Sequence, residues 1–268
     1  MLAAGLGSRM RGSGSGVAAE LSAPQRAMAE RGIKGMIPFG EGRPFLDYAL
    51  SGLADAGVRQ VCLVIGPAHQ EIQSYYAGPG KPFRLQLHCA VQARPLGTAD
   101  ALLAAERFAA GGPVLVVNAD NLYPRAGLLA LLKLLRAGLL GFRPSTLLSA
   151  GNIRPERILG FALLEANAEG ELTRIVEKPT PAEAAVFGAD PLVSMNAWLL
   201  PPNIYAACRA IGPSPRGELE LVDAVRYAME RLGERFQVIE SREGVLDLSS
   251  PQDIPEVAAR LRGREPRP

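Results

Sequence analysis

The sequence predicts an α/β fold with a mixed, mostly parallel central sheet and helices on both of its faces. Continuous apolar runs at 61–66 and 114–117 are typical of buried parallel strands. Segments with helical spacing of apolar residues, such as 45–56, alternate with these runs, and repeated βα units favour a parallel sheet. The 268 residues are 48% hydrophobic, which is enough for one large domain with a substantial core.

The elements of the first half alternate in type. We predict helices at 45–56, 70–76 and 98–108, the last opened by Thr98 as a capping residue, and strands at 61–66, 85–89 and 114–117. Ligands of open sheets bind beyond the carboxyl ends of the strands. Asp120 lies at such an end.

The second half is less regular. We predict strands at 146–149, 161–165, 172–176, 193–200, 236–240 and 245–248, and helices at 218–232 and 251–262. The leucine-rich stretch 128–142 is interpreted as a core-facing helix and its exit, too short for a bilayer. The sequence thus predicts a single domain over 1–262 and a frayed polar tail at 263–268.

Composition excludes several classes of function. The net charge of +2 argues against a nucleic-acid surface, and no secretory signal or membrane span is recognisable. His69 and His88 are the only histidines, which argues against histidine catalysis. Cys62, Cys89 and Cys208 form no CxxC pair, so neither a zinc site nor a disulfide framework is predicted. A reducing, cytoplasmic setting fits; a homo-oligomer is left open.

The N-terminal loop combines glycines with a cation: Leu2-Ala3-Ala4-Gly5-Leu6-Gly7-Ser8-Arg9-Met10. Backbone N–H groups of such a turn can form a nest for an anion, and an arginine fork suits phosphate oxygens. A tight turn without a ligand is the alternative. The loop is not a Walker loop, and Met10 stands where a dinucleotide-binding fingerprint has its third glycine.

Two features near this loop are unusual. Only Met1 and Leu2 precede the small residues of the loop, so the strand that normally supports a phosphate loop is predicted to be missing, and a truncated start is one interpretation. Residues 11–32 begin rich in glycine and serine and continue with alanine. We predict a mobile loop followed by a short helix.

Further motifs follow in order along the chain. They are Lys34-Gly35-Met36-Ile37-Pro38, Gln92-Ala93-Arg94-Pro95-Leu96-Gly97-Thr98, Asn118-Ala119-Asp120-Asn121, Glu177-Lys178-Pro179, Met195-Asn196-Ala197 and Val245-Leu246-Asp247. Together with the first loop, this ordered set resembles the sugar-1-phosphate nucleotidyltransferases, which include glucose-1-phosphate uridylyl- and thymidylyltransferases.

The resemblance implies a fold of the nucleotide-diphospho-sugar transferase type and an enzyme that converts NTP and sugar-1-phosphate to NDP-sugar and pyrophosphate. UTP or dTTP is favoured, and glucose-1-phosphate is the default sugar. Residues 1–125 would bind the NTP and residues 126–262 the sugar phosphate. The alternatives are nucleotidyl transfer to a non-sugar phosphate, such as a CTP-dependent alcohol phosphate, and a non-catalytic protein that binds nucleotide or sugar phosphate.

The resemblance also implies roles for individual residues. The backbone of Leu2, Ala3, Ala4, Gly5 and Gly7 would cradle the nucleotide, Arg9 and Lys34 would neutralise its phosphates, and Gln92, Gly97 and Thr98 would surround a pyrimidine base. Asp120 and Asp247 would hold Mg²⁺, which prefers a few carboxylates together with phosphate oxygens. Glu177, Lys178 and Asn196 would bind the sugar phosphate, with Gly160 or Ala162 beside them. The alternative for each of these residues is a purely structural role, in an ion pair, a helix cap or a turn.

Overall fold

The computed structural model describes residues 1–5, 7–11, 21–188 and 190–268. The strands are β1 Pro38–Phe39, β2 Arg43–Pro44, β3 Gln60–Ile65, β4 Gln86–Val91, β5 Val114–Val116, β6 Asn121–Leu122, β7 Gly138–Phe142, β8 Ala162–Ala166, β9 Leu172–Val176, β10 Leu192–Leu200, β11 Gln237–Ser241 and β12 Leu246–Asp247. The α-helices are α1 Ser8–Arg11, α2 Ala23–Arg31, α3 Phe45–Asp55, α4 Gln70–Ala77, α5 Thr98–Ala104, α6 Glu106–Ala109, α7 Arg125–Leu132, α8 Pro144–Ser149, α9 Pro181–Ala185, α10 Ile204–Ala210, α11 Leu221–Leu232 and α12 Ile254–Leu261. Short 3₁₀ helices cover Lys34–Met36, Pro155–Gly160 and Pro251–Asp253.

The central sheet is built around β10. β7 pairs with it on one side, and β5 and β8 share the other side, all antiparallel to it. β11 extends the sheet parallel to β7, and β9 extends it antiparallel to β8. Leu2 bridges Val64 and Asn118 in parallel, which joins the parallel pair β3–β4 to β5. Among the strands of this sheet only β9 and β10 therefore oppose the common direction, and the mixed, mostly parallel sheet is confirmed.

Hydrophobic clusters cover both faces of this sheet. Alternate residues of β10 point to opposite faces. Val193 and Met195 pack in the cluster that contains buried residues of α3 and α7. Trp198 and Leu200 pack in the cluster that contains buried residues of α5, α10 and α11. The predicted placement of helices on both faces is confirmed.

The first three residues occupy a strand position between β3 and β5. The Leu2 N–H donates to Val117 O at 2.8 Å, and the Ala3 N–H donates to Val64 O at 2.8 Å. The Ala119 N–H in turn donates to Leu2 O at 2.9 Å. The prediction that the loop lacks a supporting strand is wrong, because Met1 to Ala3 make the ladder hydrogen bonds of one.

A third cluster holds the segment after the loop against the body of the protein. Met10 of α1 is 2% exposed and packs with residues of α2, α3 and α12. α2 begins with a capping box between Ser22 and Gln25 and ends at Gly32, whose φ is 73°. The short helix predicted within 11–32 is therefore confirmed, whereas residues 12–20 of the predicted mobile loop lie outside the described residues.

Several element predictions are wrong. Residues 146–149 belong to α8, because Pro144 starts a helix there and the Ser149 hydroxyl donates back to Ser145 O at 2.8 Å. The stretch 128–142 contains helix α7 and also the buried strand β7, which was not predicted. The predicted helix 98–108 divides at Ala105 into α5 and α6, and the predicted helix 218–232 begins only at Leu221.

The C-terminal tail is not frayed. Pro268 O accepts from the N–H groups of Phe83 and Arg84, and the Arg267 N–H donates to the Ser51 hydroxyl at 2.6 Å. The side chain of Arg84 donates to Arg267 O at 3.0 Å. These hydrogen bonds, together with the burial of Pro266 and Pro268, hold the tail in place. Within the described ranges no helix is both long and apolar enough to cross a membrane.

Candidate active site

A cavity of about 360 Å³ opens at the carboxyl ends of the Met1–Ala3 segment, β3 and β5, as predicted for a sheet of this kind. Residues of both predicted nucleotide motifs line it together with a candidate metal ligand and a candidate sugar ligand. The predicted site residues in its wall are Leu2, Ala3, Ala4, Gly5, Lys34, Gln92, Gly97, Thr98, Asp120 and Asn196.

The two glycines of the first loop have different surroundings. Gly7 has a φ of +61°, and a Cβ there would lie 2.2 Å from Gly32 O, so only glycine allows the two backbones to meet. Gly5 is exposed, with open space where a Cβ would stand, and it lines the cavity. Arg9 lies on the exposed side of α1, whose Met10 anchors it. At Gly5 the backbone is therefore open to the cavity, as a phosphate nest requires.

Lys34 and Asp120 form an ion pair in the cavity wall. The Lys34 Nζ lies 2.7 Å from Asp120 Oδ2, and the side chains are 16% and 25% exposed. Lys34 begins the 3₁₀ helix that follows Gly32, and Asp120 follows β5. The sequence places these residues 86 positions apart, and the sheet brings them together at one end.

Asp247 is 3% exposed and lies close enough to Asp120 for the charge of Asp120 to affect it. β12 pairs with β6, so Asp247 stands opposite Asn121, and the Asn121 amide donates to Asp247 Oδ1 at 2.9 Å. Arg157 donates to Asp247 Oδ2 at 2.6 Å. Burial and the nearby Asp120 raise the pKa of Asp247, and Arg157 opposes that shift. The structure thus brings Asp120 and Asp247 within electrostatic reach of each other, and Arg157 already neutralises the buried one.

Asp120 and Asp247 could bind Mg²⁺ as its only two protein ligands. The described residues contain no group of three or more His, Cys, Asp or Glu side chains that could hold a metal ion. Mg²⁺ commonly takes only one or two protein carboxylates beside phosphate oxygens and water. Asp120 faces the cavity, and the Asp247 carboxylate accepts from Asn121, Arg157 and the Ser249 side chain, which leaves one of its lone pairs for a cation. The residues therefore fit the ion, with Asp120 as the accessible ligand.

Gln92, Gly97 and Thr98 meet at the start of α5. Gln92 Nε2 donates to Gly97 O at 3.0 Å and to Asp100 Oδ2 at 2.8 Å. Thr98 does not cap its own helix; Gly97 is the N-cap, and no side-chain cap hydrogen bond is present. The Thr98 hydroxyl instead accepts from the Leu221 N–H at 2.8 Å, at the first residue of α11. The predicted cap is wrong, because the hydroxyl accepts a hydrogen bond from the first backbone N–H of α11, which has no partner within its own helix.

The sugar-phosphate candidates form a second group beside the cavity. Glu177 and Lys178 follow β9, with Lys178 Nζ 3.8 Å from Glu177 Oε1, and the Lys178 N–H donates to Phe161 O at 3.2 Å. Lys178 and Asn196 have φ values of +46° and +58°. Such left-handed, non-glycine residues are strained and concentrate at functional sites.

Gly160 ends an exposed 3₁₀ helix, and a Cβ there would meet nothing within 4 Å, so no contact requires glycine. Gly160 is not among the described residues that line the cavity, and neither are Gly7, Arg9, Glu177, Lys178 and Asp247. Glu218 lines the cavity, and the nearby Glu220 is one of the charges that affect Glu177.

A family model described as "Nucleotidyl transferase" matches residues 26–263. The chain belongs to the nucleotidyl transferase family. A glucose-1-phosphate thymidylyltransferase of Streptomyces antibioticus is 29% identical over 188 residues, which cover 70% of this chain and 49% of that protein. A glucose-1-phosphate thymidylyltransferase of Xanthomonas campestris is 29% identical over 218 residues, 81% of this chain and 69% of that one. The chain spans about half the length of several curated relatives that it matches.

The fold is shared with solved structures. A crystal structure of UDP-glucose pyrophosphorylase complexed with UDP-glucose superposes with a TM-score of 0.75 at 18% identity, covering 98% of this chain and 97% of that chain. The α/β fold predicted from the motifs and the family resemblance are both confirmed.

Several described residues in and around the candidate site were not predicted, among them a histidine, a tyrosine and two arginines. His69 lines the cavity and accepts from the Gly66 N–H at its Nδ1, and a hydrogen bond with the Ala3 backbone links it to the N-terminal segment. The buried Tyr123 hydroxyl donates to Met195 O at 2.6 Å and holds β10 beside Asp120. Arg157 lies beside Asp247, and Arg216 lies close enough to Glu177 to affect its charge. Only Arg216, in a glycine-containing loop next to acidic residues, carries a local signal that could have indicated it.

Replacing Gly97 by Ala is expected to lower the free energy of unfolding by about 2–3 kcal/mol. Gly97 has a φ of +116°, and a Cβ would lie 2.5 Å from Leu219 O and 2.7 Å from Leu219 N. Gly111 has a φ of +79° with open space around it, so Gly111→Ala measures the backbone strain alone. Urea unfolding of both variants checks this, and equal losses would show that the contact with Leu219 contributes nothing.

Replacing Glu177 by Gln is expected to flatten the pH dependence of stability. Burial raises the pKa of Glu177 from 4.5 to about 7. Between those values the unfolded state loses the proton and the folded state keeps it, so stability falls as pH rises, by on the order of 2 kcal/mol. Unfolding midpoints of both proteins at pH 5 and pH 8 test this. Glu230→Gln, at an exposed position of α11, is the control, and an unchanged slope in Glu177→Gln would contradict the expectation.

Proposed function

We propose that this chain catalyses transfer of a nucleotidyl group from an NTP to a sugar-1-phosphate, giving an NDP-sugar and pyrophosphate. The observation that carries the proposal is the single cavity in which the open N-terminal loop, the Lys34–Asp120 pair and Gln92 meet. Family membership supports the reaction type. The names of the curated relatives favour dTTP and glucose-1-phosphate, and UTP is favoured with dTTP because both bases offer the same edge.

The proposed reaction requires positioning and charge neutralisation. A phosphate oxygen of the sugar-1-phosphate attacks the α-phosphorus in line, the bond between that phosphorus and the bridging oxygen to the β-phosphate breaks, and pyrophosphate leaves with the electron pair. No covalent enzyme intermediate is needed. Lys34 and Arg9 are the cations that would neutralise the phosphates of the NTP. On NTP binding, Lys34 can exchange Asp120 for phosphate oxygens without losing its counter-charge.

Mg²⁺ bound by Asp120 and Asp247 would supply Lewis-acid activation and align the two phosphates. The chain's own residues hold the sugar phosphate: Lys178 would bind its phosphate, and Glu177 and Asn196 would accept from or donate to its hydroxyls. Glu177 accepts such hydrogen bonds better when ionised, so its raised pKa makes neutral to alkaline conditions favourable for sugar binding.

The division of labour between the halves is part of the proposal. Of the described residues that line the cavity, all but Asn196 and Glu218 come from 1–125, which supports assigning the NTP to that half. Glu177 and Lys178 belong to 126–262, the proposed sugar-phosphate half of one domain over 1–262. The cytoplasmic setting stays a prediction.

The test is a panel of NTPs against phosphates, measured as pyrophosphate release. The phosphates are glucose-1-phosphate, other sugar-1-phosphates and choline phosphate, each with and without Mg²⁺. We expect release with UTP or dTTP and a sugar-1-phosphate only when Mg²⁺ is present. Release confined to CTP and choline phosphate would favour the alcohol-phosphate alternative. Tight NTP binding without release from any pair would favour a non-catalytic binding protein.

A further inference from the structure

The amide of Gln92 is fixed by two acceptors. Its Nε2 donates to Gly97 O at 3.0 Å and to Asp100 Oδ2 at 2.8 Å, and the residue is 5% exposed. A backbone carbonyl and a carboxylate can only accept hydrogen bonds. Turning the amide over would place Gln92 Oε1 against both oxygens. The nitrogen therefore has to face Gly97 and Asp100, and both of its hydrogens are used there.

Oε1 is then the atom of Gln92 that is left for a ligand in the cavity, and it can only accept. Uracil and thymine carry an N–H at position 3, and guanine carries one at position 1. Cytosine and adenine carry an unprotonated, accepting nitrogen at the corresponding position. Two acceptors facing each other in a buried site leave both unsatisfied, which costs binding free energy.

We propose that Asp100 is a positioning residue for nucleotide selection. By holding the Gln92 amide in one orientation, it makes the site select NTPs whose base offers an N–H and reject cytidine and adenosine nucleotides. The proposal rests on the proposed function, because it requires the base of the NTP to lie against Gln92. It adds a residue that does not itself touch the base.

A purely structural role for Asp100 predicts a different result. Asp100 lies in the first turn of α5, where a negative charge interacts favourably with the helix dipole. In that role Asp100 would affect stability and would act independently of Gln92. A double-mutant cycle separates the two roles, because only residues that act together give a coupling term.

The experiment measures kcat/KM for UTP and for CTP with glucose-1-phosphate and Mg²⁺. The proteins are the wild type, Asp100→Asn, Gln92→Met and the double variant. We expect the wild type to favour UTP. Asp100→Asn should lower the UTP-to-CTP ratio about tenfold, since an asparagine can also donate and lets the Gln92 amide turn. In the Gln92→Met background the same substitution should change the ratio no further.

Glu106→Gln is the matched control. Glu106 is the next acidic residue along the chain, pairs with Arg209 and does not line the cavity, so its substitution removes the same charge without touching Gln92. It should leave the ratio unchanged. An unchanged ratio in Asp100→Asn, or equal effects of that substitution with and without Gln92, overturns the proposal.

Nucleotide binding by calorimetry distinguishes this failure from failure of the proposed function. If the wild type binds UTP more tightly than CTP but releases no pyrophosphate, the proposed reaction is wrong. Loss of that binding preference in Asp100→Asn would still support the role of Asp100 in selection. If turnover is normal and CTP is preferred, the inference alone falls. A wild type that binds neither nucleotide overturns both.

Discussion

Replacing Asp120 by Asn is expected to lower Mg²⁺-dependent pyrophosphate release by about 10²- to 10³-fold. Asn keeps the shape of the side chain but removes the charge that pairs with Lys34 at 2.7 Å. It also removes the cavity-facing carboxylate of the proposed metal site. Both losses weaken neutralisation of the phosphates, so kcat should fall more than KM rises.

Asp55→Asn is the matched control for this substitution. Asp55 pairs with Arg84 at 2.7 Å, is half exposed and does not line the cavity. Its replacement should leave turnover within about twofold of the wild type, because an exposed ion pair contributes little. Steady-state pyrophosphate release by the three proteins, with circular dichroism to verify folding, gives the comparison. Undiminished turnover in Asp120→Asn would remove Asp120 from the metal site and from the phosphate half of the mechanism.

Much of the fold could be predicted because the spacing of apolar residues in a long segment indicates which of its residues are buried, and so whether it is a helix or a strand. Helix α3 and strands β3, β9 and β10 were predicted to within about two residues. Apolar residues recur at helical spacing in α3, run almost without a break through β3 and alternate with polar residues in the first half of β10, whereas β9 contains three β-branched residues. Strand β7 was missed because its sequence, Gly-Leu-Leu-Gly-Phe, continues the leucine-rich helix before it without a polar break. Helix α8 was taken for a strand because six residues are too few to show a period.

The candidate site likewise contains residues that could be predicted from local motifs and residues that could not. Residues in local motifs, such as Gln92, Lys34 and Asp120, were predicted, and the structure brings them to one cavity. Their partners could not be predicted, because Arg157 reaches Asp247 across 90 residues and no local pattern marks it. The orientation of Gln92 was equally hidden: its amide hydrogens are used by Gly97 and Asp100, so a base placed against Gln92, as we propose, would meet an acceptor rather than a group that both donates and accepts.

Replacing Arg157 by Met is expected to lower the free energy of unfolding by about 3–5 kcal/mol, because it leaves a buried carboxylate without its counter-charge. Arg157 is 13% exposed and lies 2.6 Å from Asp247 and 3.5 Å from Asp253. Asp120 is close enough to raise the pKa of Asp247, so the two aspartates would repel each other without the guanidinium. Met preserves most of the packing volume, so the loss reports mainly the charge.

Mg²⁺ should restore part of this stability, because Asp120 and Asp247 are then free to share a divalent cation that binds only the folded state. Millimolar Mg²⁺ should therefore raise the urea midpoint of Arg157→Met more than that of the wild type, in which Arg157 competes for Asp247. Arg154→Met is the control, since Arg154 is about half exposed and reaches Asp253 only at 3.6 Å. If Mg²⁺ shifts all three midpoints equally, Asp247 is a partner of Arg157 alone and the metal site is reduced to Asp120.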